Sequence, residues 1–172
     1  MCKLPSLAVA VSWPPQPEAF QVIIRELSSK ECGEALNAAS FGRLGCARAN
    51  QPYVVPIFFV TDEDSIYSFA LPGQKIDWMR DNPQVCLQFD NHRSGADWTS
   101  VVLFGQFAEL VDADERQRAH ALLQARPMWW EPGAISPVGS KHTAGHTPIF
   151  YRISKTSMTG YHYSSPPGGK LD

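Results

Sequence analysis

The chain has 172 residues, 44% of them hydrophobic, and carries a formal charge of −2 from 15 basic and 17 acidic side chains. That length supports one domain with a core of its own and is short for two. The charge is balanced without long blocks of either sign, which excludes the basic footprint of a nucleic-acid binder.

Residues 1–20 contain four prolines and no sustained period, and SSPPGGKLD at 164–172 is poor in apolar side chains. Both read as mobile tails around a domain at 21–163. The LAVAV run at 7–11 is short and followed by Trp13-Pro14-Pro15, so no signal peptide is expected. No apolar run approaches the roughly twenty residues that cross a bilayer.

Inside the domain, Ser28 and Glu31 have capping-box spacing and predict a helix over 29–38. Phe41 to Arg48 reads as a strand, Ala49-Asn50 as a tight turn, Val54 to Val60 as a second strand and Ser65 to Ala70 as a third, together a meander. Pro72-Gly73 then changes the period from two to that of a helix carrying Ile76 and Met79. A helix starting at such a corner has unpartnered N–H groups and partial positive charge, and Lys75 in its first turn makes the corner suited to a phosphate. A lysine in a first turn is more often simply solvated.

Gln84 to Asp90 reads as a strand, NHRSGAD as a polar loop, and Trp98 to Val111 as a long strand. Asp112 and Glu115 then cap a helix reaching about Ala125. A long loop from Arg126 to Gly145 holds Met128-Trp129-Trp130, and a last strand runs from Ile149 through Ile153 towards Tyr161. Six or so strands joined mostly by short turns, with few helices, favour a closed or nearly closed antiparallel barrel over a parallel α/β sheet.

Several constellations carry little chemistry. Cys2, Cys32, Cys46 and Cys86 lack C-x-x-C or zinc spacing and read as free thiols of a reducing cytoplasm. His142 and His146 are four apart but lie in a Gly-containing loop without a nearby carboxylate, so no metal site is expected. No Ser or Cys sits in a G-x-S-x-G elbow, and the histidines have no recognisable acidic partner. Arg43 and Arg80 could add positive charge near a phosphate; a surface ion pair is the commoner fate of such residues.

FGRLGCA at 41–47, QPYVVPIFF at 51–59, IYSFALPGQK at 66–75, DNPQVCLQFD at 81–90, TSVVLFGQFAEL at 99–110 and PIFYRI at 148–153 occur in an order and spacing that together are specific. Over about residues 26 to 161 the chain resembles the flavin-binding split-barrel proteins related to pyridoxamine 5′-phosphate oxidase, in particular their nitroimidazole-resistance (Nim-type) branch. The resemblance implies a mainly β, six-stranded antiparallel split β-barrel with a few helices. It also implies a homodimer, with FMN in a groove at the subunit interface and contributions from both chains.

On that resemblance the flavin lies beside Val55, Pro56, Ile57 and Phe58, and its phosphate near Ser68, Phe69, Gly73, Gln74 and Lys75. Ser100 and Gln106 of the other chain come near the ring or the ribityl chain. From their side chains alone, Trp129 and Trp130 either cap the flavin, line a substrate pocket or anchor their own loop on the barrel, since large flat side chains suit planar ligands. The implied activity is that of a cytoplasmic flavin-dependent oxidoreductase on a small, planar substrate, with NAD(P)H as a hydride donor; no side chain stands out as acid or base. The alternative is a carrier or sensor that binds flavin or haem without turnover. Two departures bear on this. The true oxidases have a basic residue at each end of the strand matching Val55 to Val60, where this chain has valine, which disfavours pyridoxamine phosphate as substrate. The Nim-type branch often has His-Thr-Ala or His-Ser-Ala where this chain has Phe69-Ala70-Leu71.

Overall fold

The structure is a computed structural model that describes residues 23–94, 97–126 and 147–164, without the side chains of 92–94. Among these residues the strands are β1 (Ile23–Glu26), β2 (Phe41–Arg48), β3 (Gln51–Phe58), β4 (Val60–Thr61), β5 (Ser65–Ala70), β6 (Gln84–Ser94), β7 (Asp97–Glu109) and β8 (Ile149–Ser164). The helices are α1 (Ser29–Ala38), α2 (Gln74–Asp81) and α3 (Ala113–Gln124). No described helix is long and apolar enough to cross a membrane.

The strands form one antiparallel sheet in the order β3-β2-β6-β7-β8-β5-β4, with β1 added on β8. The two ends of that path, β3 and β4, are halves of one segment interrupted at Phe59, whose N–H donates to the Ser40 carbonyl at 2.9 Å. The segment 51–61 thus lies beside β2 with its first half and beside β5 with its second, and the sheet curls round on itself. Counting β3 and β4 as one bent strand gives the expected six-stranded split barrel, with β1 as an addition. The expected meander is therefore present, bent at its middle strand. Pro52 and Pro56 have no N–H to give a ladder, which an edge strand tolerates.

Side chains alternate across the sheet. Leu44, Cys46, Val85, Leu87, Phe89, Val101, Leu103 and Phe107 point inward and are buried with Tyr151 and Ile153. Ile76 and Met79 of α2 and Cys32 and Leu36 of α1 complete this core. A smaller cluster of Phe58, Val60 and Leu123, with Phe69 and Phe150 packed on it, lies under α3.

The local signals act as expected at most boundaries. Ser28 caps α1 reciprocally with Glu31, the Ser28 N–H donating to the carboxylate at 2.8 Å. Hydrogen bonds from Arg25 and from Ser28 hold that carboxyl down to about 2. Ala49 and Asn50, at φ 48° and 63°, make the two-residue turn joining β2 to β3. Asp112 caps α3 through the N–H groups of Asp114 and Glu115 at 2.9 and 3.0 Å, while the Glu115 side chain pairs with Arg152 at 3.4 Å and does not close a capping box.

Several boundaries differ from the expectation, β6 among them, which continues to Ser94 through the first four residues of the expected NHRSGAD loop. The strand expected from Val54 begins at Gln51, because the tight turn lets pairing start at once. The last strand continues to Ser164, one residue past the expected domain end, because β7 and β1 flank its far end. β1 itself has no alternation, all four of its residues being exposed. The expectations for 1–20, for 165–172 and for most of the Arg126 to Gly145 loop lie outside the described residues.

On β8 a bulge at the level of Phe104 and Gly105 shifts the register, so that Tyr151 and Ile153 face inward before it and Gly160 after it. The β7 backbone approaches very closely here. A Cβ on Gly105 would lie 2.5 Å from the Ser154 carbonyl oxygen and 2.6 Å from Ile153 Cγ2. Since the first of these is backbone, Gly105→Ala should part β7 from β8 and cost about 1–3 kcal/mol, as overpacking does. Thermal unfolding should show it as a melting point lowered by several degrees; an unchanged midpoint would mean that the strands separate freely at this level.

Candidate functional site

The Pro72-Gly73 corner opens α2. Gly73 is the N-cap residue, its carbonyl accepting from the N–H groups of Ile76 and Asp77 at 2.9 and 3.1 Å, and no side chain caps the first turn. α1 and α3, by contrast, are capped by Ser28 and Asp112. The space around Gly73 is open, with nothing within 4 Å of the position a Cβ would take. The corner is therefore an accessible helix N-terminus with partial positive charge.

Lys75, in that first turn, is half-buried. Its Nζ lies 6.0 Å from the centre of the Tyr151 ring, and among the described residues no hydrogen bond or ion pair joins it. Burial pulls its pKa below the ordinary lysine value, which the nearby Cys46 offsets in part. Tyr151 is wholly buried, its hydroxyl has no hydrogen-bond partner among the described residues, and burial pushes the phenol up to about 12, a rise that the neighbouring Ser68 hydroxyl offsets in part. A lysine ammonium without a counter-charge beside an uncapped helix end is an electrostatic site for an anion.

The other expected residues are distributed around this corner and across the sheet. Val55 and Ile57 point into the barrel from β3 while Pro56 is exposed; Phe58 is buried under α3. Ser68 is buried on β5 and donates to the Phe58 carbonyl at 2.6 Å, tying the bent strand to the strand that leads into the corner. Phe69 packs on Phe150 with ring centres 5.9 Å apart. Gln74 is exposed at the first position of α2.

Ser100 and Gln106 lie away from the corner on the outward side of β7, Ser100 half-buried and Gln106 exposed. Trp129, with Trp130, His142 and His146, lies outside the described residues, as does the side chain of His92. No group of three or more His, Cys, Asp or Glu side chains that could hold a metal occurs among the described residues.

Three features were not read from the sequence, and the two arginines follow the commoner of the two fates it offered. Arg43 is committed to Asp90 at 3.1 Å and Arg80 to Glu109 at 2.7 Å, so neither is a free cation for the corner. His162 does meet a carboxylate, Asp97, at 3.7 Å, with Thr99 at 3.1 Å on its other ring nitrogen; the partner is 65 residues away along the chain and is supplied by strand pairing. Cys86 is half-buried on the outward side of the sheet, whereas Cys46 is in the core. The course of the half-buried Lys75 side chain towards the Tyr151 ring of β8 has no signal in the local spacing.

A family model described as pyridoxamine 5′-phosphate oxidase matches residues 28–162. An uncharacterized protein of Rhizobium meliloti is 40% identical over 143 residues, which span 81% of this chain and 95% of that protein. Among solved structures, an FAD-binding protein from Mesorhizobium loti is 36% identical, with a TM-score of 0.68 over 84% of this chain and 99% of its own. A candidate 5-nitroimidazole antibiotic resistance protein from Bacteroides thetaiotaomicron has the same fold at 17% identity and a TM-score of 0.67, over 84% and 90% of the two chains. By the extent of these matches, the chain belongs to the pyridoxamine 5′-phosphate oxidase family.

Proposed function

We propose that this chain binds FMN at the interface of a homodimer and acts as a flavin-dependent oxidoreductase on a small, planar substrate. The observation that carries the reading is the α2 corner, where an uncapped helix N-terminus meets a half-buried lysine that has no ion-pair partner among the described residues. The 36% identical FAD-binding protein supports a flavin as the ligand. FMN and FAD share the phosphate next to the ribityl chain. In FMN that phosphate is a monoester with a charge of about −1.5 to −2 near neutrality, which suits a site built from a helix end and one ammonium.

In this reading the α2 backbone N–H groups and Lys75 hold the phosphate, and the β3 segment from Val55 to Phe58 gives the ring an apolar wall. Ser68 fixes the distance between that wall and β5 through its bond to Phe58. Ser100 and Gln106 of the second chain approach from the other side. A bound flavin supplies reversible acceptance and release of a hydride. The chain's own residues bind it, orient it and leave one face open to NAD(P)H and the substrate in turn.

Anaerobic mixing of the FMN-loaded protein with NADH or NADPH tests the enzymatic part. Bleaching of the flavin, and its return on adding an electron acceptor, is the expected result. A flavin that stays oxidised with both nucleotides would make the chain a carrier or sensor.

A further inference from the structure

Lys75 lies in the first turn of α2, beside a corner with open space at Gly73, where a long side chain can extend into water. It is half-buried all the same, with Nζ over the Tyr151 ring at 6.0 Å from its centre. Burial costs an ammonium free energy unless a nearby group compensates its charge. Among the described residues no carboxylate pairs with it. Cys46 is close by, but burial pushes its thiol up, so it stays uncharged and is no counter-ion. The face of the Tyr151 ring is the group left to hold the charge, through the negative end of its quadrupole, while the apolar stem of the lysine packs beneath.

Tyr151 is itself held firmly. It is wholly buried on β8, stands opposite Ser68 of β5, and its ring centre lies 5.4 Å from that of Phe107 on β7. Since β5 leads directly into the corner, one strand ties the ring to the start of α2. The hydroxyl has no hydrogen-bond partner among the described residues, which leaves the ring as the part of this side chain that the corner uses.

A ring face and a carboxylate both hold an ammonium, but the carboxylate cancels its charge, whereas the ring carries no formal charge and leaves that of the lysine for an anion. A lysine ordered in advance also loses less rotamer entropy when its ligand arrives. We propose that Tyr151 is a positioning residue of the α2 corner, its ring face holding the Lys75 ammonium in place for the phosphate of the ligand. The inference rests on the flavin reading above and deepens it by naming the residue that orders the cation.

Fluorinated phenylalanines at position 151 test this, because fluorine withdraws negative charge from the ring face at nearly constant shape and so spares the core. Tyr151→Phe, the conservative variant, keeps the ring and should retain the preference for FMN over riboflavin. From phenylalanine through 4-fluoro- and 3,5-difluoro- to 3,4,5-trifluorophenylalanine, FMN affinity should fall stepwise, by about threefold or more in total, while riboflavin affinity stays level. In a Lys75→Ala background the series should be flat for both ligands, since the ring acts through the lysine. A series that is flat for FMN with Lys75 present, that falls equally for FMN and riboflavin, or that falls as steeply without Lys75 overturns the positioning role and leaves flavin binding standing. A selective loss of FMN in Tyr151→Phe overturns it too, by assigning the contact to the hydroxyl. A wild type that binds neither FMN nor riboflavin would overturn the flavin reading and this inference with it.

Discussion

Lys75→Ala should weaken FMN binding by roughly ten- to a hundredfold and leave riboflavin binding nearly unchanged. The first figure is the loss of a charge-assisted hydrogen bond, about 1.5–3 kcal/mol. The second follows because riboflavin has no phosphate. A substitution that merely loosened the barrel would weaken both ligands together, so the contrast isolates the contact from the fold. The dependence on pH has a fixed sign. Burial lowers the Lys75 pKa, so the ammonium is lost as the pH rises through a value below that of an ordinary lysine. FMN affinity of the wild type should therefore fall over that window towards the level of the variant, whose own affinity stays flat there. Fluorescence titration of the apoprotein reads all of these. Equal FMN affinity for wild type and variant would leave the phosphate to the α2 backbone alone.

The largest effect on stability is expected at Tyr151, through two substitutions that separate its ring from its hydroxyl. The ring is wholly buried and packs against Phe107 at 5.4 Å between centres. Tyr151→Ala should cost about 3–5 kcal/mol, in the range found for deleting a large core aromatic. The hydroxyl is buried without a partner among the described residues, and a buried polar group in that state costs about 1–3 kcal/mol of desolvation. Tyr151→Phe removes that cost at unchanged shape, so it should leave stability equal or raise it. Chemical denaturation of both variants measures this. A loss of more than about 1 kcal/mol in Tyr151→Phe, a typical net value for a hydrogen bond, would show that the hydroxyl is satisfied in solution.

Much of the fold was legible because its signals are local. The Ser28–Glu31 spacing, the Ala49-Asn50 turn and the Pro72-Gly73 break each fix a boundary from a few adjacent residues. The bend that brings the two ends of the sheet together was not legible in the same way. Nothing between Gln51 and Thr61 marks Phe59 as the place where one strand changes neighbours; it is set by packing on both sides of the bend. β1 escaped for a related reason, since a strand exposed at every residue has no alternation to read.

The site divides along the same line. The corner itself was written in the sequence, because a change of period with Pro and Gly and a lysine in the first turn are all local. The course of Lys75 towards Tyr151 depends on β8, which is more than 70 residues away. The pairing of Arg43 with Asp90 and of His162 with Asp97 depends on strand register. Composition cannot supply register, so the partners of these two residues were not legible in the sequence, while the folded sheet gives each a carboxylate.

The central claim is flavin binding, and its most direct measurement is the absorption spectrum of the purified protein after saturation with FMN and removal of free ligand by gel filtration. The account predicts flavin absorption that co-elutes with the protein, one flavin per chain, at the elution volume of a dimer. Colourless protein after that step, with no change in flavin fluorescence on titration with FMN, FAD or riboflavin, would contradict it.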